Sequence, residues 1–88
     1  MPLKKTKQMQ FMDGLIGGNI RFVREIKKIS REDLAESLNC SLGTINRLEK
    51  GDCSYKNKKL YQISEILGVN VAYLTGFNIE NYRTYWQD

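Results

Sequence analysis

The chain has 88 residues, 41% of them hydrophobic and 27% charged, with a formal net charge of +4. These values fit one small ordered domain and exclude a disordered chain, and no apolar run approaches the about 20 residues that cross a bilayer. The absence of histidine removes Ser–His and Cys–His nucleophile systems, so no enzyme activity, metal site or cofactor is expected, and the basic excess favours a polyanionic partner.

Residues 1–14, MPLKKTKQMQFMDG, read as an N-terminal tail. Lysines 4, 5 and 7 have no apolar segment behind them, so the tail is not a secretory signal and a cytoplasmic location is expected. Its lysines suit DNA phosphates as an arm, and Met9, Phe11 and Met12 suit covering the domain; both readings stay open. Ile16, Ile20, Val23 and Ile26 or Lys27 recur at helical spacing and predict a first helix over about 15–28. Gly17-Gly18 lacks the spacing and lysine of a phosphate loop.

The stretch Ser30–Gly51, SREDLAESLNCSLGTINRLEKG, reads as two short helices joined by a tight turn. Ser30 caps the first, about 31–38, with Asp33 as a capping-box partner. Glu32 and Asp33 are helix N-terminal charges and not acid/base machinery. Leu34 and Leu38 share one face, and Ala35 is small where the helices would cross. Asn39 tolerates the left-handed conformation that ends a helix. Ser41 caps the next, about 42–49, where Ile45 and Leu48 share a face; Lys50 complements its dipole and Gly51 ends it. This spacing is that of a helix-turn-helix. Cys40 sits at an apolar position and behaves as a small hydrophobe, and both it and Cys53 are expected to be reduced. After a loop over 52–56, a fourth helix takes about 57–67, with Leu60, Ile63 and Leu67 as its stripe and Gly68 as its stop. Asn70 caps a fifth, about 71–75, ending at Gly76. Residues 77–88, FNIENYRTYWQD, form a dense aromatic extension.

Taken together, residues 16–76 resemble the Cro and phage-repressor family. The likeness is carried by Ile16-Gly17, Ile20-Arg21, Val23-Arg24 and Ile29-Ser30 before the hairpin, and by Leu60, Ile63, Ile66-Leu67-Gly68-Val69 and Leu74 after it. The resemblance implies an all-α, five-helix DNA-binding domain over 15–76 whose third helix enters the major groove. It places base-reading residues at Leu42, Gly43 and Arg47, with Ser41, Thr44 and Asn46 beside them. Arg47 can bond guanine O6 and N7 together, whereas Leu42 can touch a thymine methyl. Arg31 stands where the family commonly has a phosphate-binding Gln, and Lys50, Lys56 and Lys58 can flank the groove. Arg24 and Glu49 match positions that form an ion pair between the first and third helices. The chain departs from the pattern at Lys28, where Gly is usual, and in the first turn of the third helix, which lacks the common Gln. Phe22 and Ile26 replace polar residues, which suggests a covered outer face on the first helix.

The function expected is sequence-specific operator binding as a homodimer, controlling transcription, with repression favoured, in a phage or mobile element. Phe77, Ile79, Tyr82, Tyr85 and Trp86 are the expected dimer anchors, since interfaces are enriched in such residues. The rival is a protein-interaction module, such as an antitoxin or mobile-element regulator, that binds another protein.

Overall fold

Five helices follow one another in a computed structural model that describes residues 7–52 and 57–76: α1 (Lys7–Ile26), α2 (Arg31–Ser37), α3 (Leu42–Lys50), α4 (Asn57–Leu67) and α5 (Val71–Thr75). The fold is all-α, as expected, with no strand among the described residues. One apolar cluster joins all five. It takes Ile16, Ile20 and Val23 from α1, Leu34 and Ala35 from α2, and Ile45 and Leu48 from α3. Leu60, Ile63, Leu67 and Leu74 complete it from α4 and α5. Each fully buried Leu or Ile contributes about 1.5–3 kcal/mol relative to an exposed one. α1 packs against α3, α5 and α4; α2 lies on α3, and α4 on α5.

The ends of the first four helices share one device. Each closes with a pair of backbone bonds, Lys28 N–H to Glu25 O with Ile29 N–H to Arg24 O being the first. The same pattern recurs with Asn39 and Cys40, Gly51 and Asp52, and Gly68 and Val69. It requires a left-handed residue, and Lys28 (φ 57), Asn39 (φ 55), Gly51 (φ 76) and Gly68 (φ 70) supply it. Three of these stops are legible as Asn or Gly. Lys28 adopts the same conformation at a cost of about 1 kcal/mol, and this ends α1 at Ile26 and not at Lys28.

The expected start of α1 is corrected. The helix begins at Lys7, two turns ahead of Leu15, so residues 7–14 are helical. No proline interrupts this stretch, and its lysine, glutamine and methionine are good helix formers. Ile26 is 62% exposed in the single chain, whereas Phe22 is half-buried against the core. Ile26 lies in the last turn before the left-handed stop, past Val23, the last buried apolar residue of α1.

Two contacts fix α1 in place. A Cβ built on Gly17 would stand 2.4 Å from the Leu48 carbonyl oxygen and 2.6 Å from that of Glu49, so the α1 and α3 backbones touch there. Fully buried Asn19 points its amide nitrogen at the α5 terminus, 2.8 Å from Leu74 O, 2.7 Å from Gly76 O and 3.3 Å from Tyr73 O. Carbonyls at the end of a helix lack the donors that a following turn would bring, and the amide supplies them here.

Candidate nucleic-acid interface

α2 and α3 form the expected hairpin. Ser30 accepts the Asp33 N–H at 3.0 Å and Ser41 accepts the Thr44 N–H at 3.1 Å. Ile45, Leu48 and Glu49 are buried on one side of α3. Helical spacing then puts Leu42, Gly43, Asn46, Arg47 and Lys50 together on the other side, and all five are exposed. Leu42 keeps 41% of its surface in solvent, which an apolar side chain does without structural need. Thr44 is half-buried, and its hydroxyl lies 2.9 Å from that of Ser41, so both serve the helix start as well as its rim. Arg47 makes no side-chain hydrogen bond or ion pair among the described residues, and its guanidinium is at liberty to meet a ligand.

A buried ionic cluster sets this helix against α1. Arg24 Nε donates to Glu49 Oε2 at 2.6 Å, Arg24 Nη2 to Glu49 Oε1 at 3.3 Å, and Arg24 Nη1 to the Ile29 carbonyl at 2.9 Å. The two side chains are 7% and 4% exposed. A bidentate fork of this kind fixes an angle as well as a distance. The architectural pair expected between α1 and α3 is therefore present. It has a third member that the spacing did not disclose: Arg31 Nε donates to Glu49 Oε1 at 3.1 Å.

Of the remaining basic residues, Lys50 and Lys58 are exposed and Lys59 is half-buried. Lys56 and the expected dimer residues Phe77, Ile79, Tyr82, Tyr85 and Trp86 lie outside the described residues. Sequence reasoning missed Asn19 and Gly17. A polar residue set between Ile16 and Ile20, and glycines inside an otherwise regular helix, were the available signals.

A family model described as a helix-turn-helix domain matches residues 17–76. The chain belongs to the helix-turn-helix domain family. The matched span opens at Gly17, where α1 meets α3, and closes at Gly76, whose carbonyl Asn19 holds; the first turns of α1 precede it. Among solved structures, this helix-turn-helix chain is similar to the clp gene regulator ClgR from C. glutamicum, at 24% identity and a TM-score of 0.69 over 100% of both chains. It is also similar to a hypothetical transcription factor, NHTF, from Neisseria, at 19% identity and a TM-score of 0.73, covering 96% of this chain and 95% of that one. At these identities the likeness is one of fold. A comparison with curated proteins finds no match. No helix among the described residues is long and apolar enough to cross a membrane.

Proposed function

We propose that this protein is a sequence-specific DNA-binding regulator of transcription, a repressor that binds a two-fold operator as a homodimer. The observation that carries this reading is the exposed side of α3, where an uncommitted Arg47 stands beside Leu42, Gly43 and Asn46 on a helix locked from behind by Glu49. An α-helix fits the major groove, and Arg47 reads guanine there. Arg31, Lys50, Lys56 and Lys58 hold phosphates and set the register, with Ser41 and Thr44 at the groove edge. Likeness of fold to a gene regulator and a hypothetical transcription factor supports the same reading.

Selection from a random DNA pool supplies the operator, and affinity for it at two salt concentrations tests the proposal. A regulator of this kind loses affinity steeply as salt rises. In Arg47→Ala, operator affinity should fall by about 1–3 kcal/mol while affinity for random DNA changes less. Equal losses on both would reduce Arg47 to a phosphate contact.

A protein-binding module is the second reading, favoured by Phe11 and Ile26, which stand 65% and 62% exposed on α1. Binding to duplex DNA that is absent at low salt would turn the choice to it.

One helix-turn-helix reads a half-site, and two-fold pairing supplies the rest. In our reading the residues that pair two chains are Phe77, Ile79, Tyr82, Tyr85 and Trp86. The described fold ends at Gly76, already anchored by Asn19. A chain truncated after Gly76 should therefore stay folded and sediment as a monomer where the full chain sediments as a dimer. A truncated chain that remains dimeric removes these residues from the interface, and one that unfolds assigns them to the core.

A further inference from the structure

The Arg24–Glu49 pair accounts for the stability of the α1–α3 junction, but not for the third bond to the Glu49 carboxylate. Glu49 Oε1 accepts Arg31 Nε at 3.1 Å in addition to Arg24 Nη2 at 3.3 Å. Arg31 is the first residue of α2, and its side chain remains 39% exposed. With Nε engaged, its two terminal nitrogens keep four N–H donors in one plane, and they have no partner among the described residues. The cluster is also cationic. Glu49 is one carboxylate between two guanidinium groups, and Glu25, 3.8 Å from Arg24, is itself engaged by Arg21 at 2.9 Å. The charge left over resides on the exposed member.

We infer that Glu49 is a positioning residue for DNA binding: from the last turn of α3 it holds the Arg31 guanidinium so that its terminal nitrogens meet a backbone phosphate as the same helix enters the groove. This rests on the DNA-binding reading above. A long flexible side chain loses conformational freedom on binding, and one already held by its inner nitrogen loses less. The planar fork allows this division, one edge to the carboxylate and the other to the phosphate, and a lysine ammonium does not. Both contacts to DNA, base-reading by α3 and phosphate-holding by α2, then share one buried anchor.

The test is a cycle of Glu49→Gln and Arg31→Ala, read as affinity for a random-sequence DNA duplex at fixed salt and at a temperature where circular dichroism shows all four proteins folded. Glu49→Gln keeps the shape of the side chain and removes its charge. It should weaken binding about tenfold in the parent and much less in the Arg31→Ala background, a coupling of at least about twofold. Nuclear magnetic resonance of the Arg31 Nε–H in the DNA-free protein gives a readout that a structural role would not move: the proton should be protected in the parent and exposed in Glu49→Gln. Should Glu49→Gln fail to fold, Arg31→Lys decides on an intact Glu49. It keeps the charge and should still lose most of the affinity that Arg31→Ala loses. Additive losses, an Arg31 Nε–H that exchanges freely in the parent, or full affinity in Arg31→Lys would each overturn the positioning role. Absence of any duplex binding by the parent would overturn the regulator reading instead, with the Nε–H protection still reporting whether Glu49 holds Arg31.

Discussion

Glu49→Ala should destabilise the fold by about 3–5 kcal/mol, the range for removing one partner of a buried ion pair. The reason is what remains. Arg24 keeps 7% of its side chain in solvent and its bond to the Ile29 carbonyl, so a buried positive charge is left with one neutral acceptor and, 3.8 Å away, the exposed Glu25 carboxylate that Arg21 already engages. Against a usual domain stability of about 5–15 kcal/mol, the loss is a large fraction of the total. In a domain of this size each kcal/mol lowers Tm by about 4–8 °C. Glu36→Ala is the control. Glu36 is exposed on α2, and its removal should change stability by under about 0.5 kcal/mol. Denaturant unfolding of the two variants checks the argument, and equal midpoints would remove Glu49 from the architecture.

Gly17→Ala should also destabilise the fold, by about 1–3 kcal/mol or more. An added methyl at this position meets main chain, with Leu48 O at 2.4 Å and both O and C of Glu49 under 3.0 Å. No rotamer change can relieve that, so α1 and α3 must move apart, and the Arg24–Glu49 bonds lie at the same junction. The shift of α3 should also weaken DNA binding. Gly43→Ala supplies the contrast. Its Cβ would meet nothing closer than the Ser41 hydroxyl at 3.8 Å, so alanine there should leave stability unchanged or raise it by up to about 1 kcal/mol. Thermal unfolding of both variants, each a Gly→Ala change within a helix, measures the effect of surroundings alone. Similar Tm values would sink the close-approach argument.

The local architecture was legible because its signals are local. Ser30, Ser41 and Asn70 cap the helices they precede, since a side-chain oxygen one residue ahead of a helix can reach only the N–H groups of its first turn. Asn39, Gly51 and Gly68 stop helices because a left-handed residue terminates the ladder wherever it stands. The stripes on α2, α3 and α4 name their own buried faces, and the opposite side of α3 follows by subtraction. That is why the candidate groove-facing residues could be chosen from residue order, whereas Arg24 and Glu49, 25 residues apart, were paired by resemblance alone.

What escaped is what depends on residues far apart in the chain. The start of α1 at Lys7 was hidden because a run of good helix formers without a cap looks like a tail. Asn19 is polar within an apolar stripe, and its purpose emerges once α5 ends with its carbonyls 2.7–2.8 Å away. Gly17 costs about 1 kcal/mol in an isolated helix and becomes necessary when the α3 backbone arrives against it. The bond from Arg31 to Glu49 joins residues 18 apart on different helices, and neither residue type nor spacing announces it. Residue identity thus determined the helices, the ends of all but α1 and the chemistry each could offer. Packing alone decided which of those groups meet, because burial and contact are properties of the assembled chain and not of any one segment.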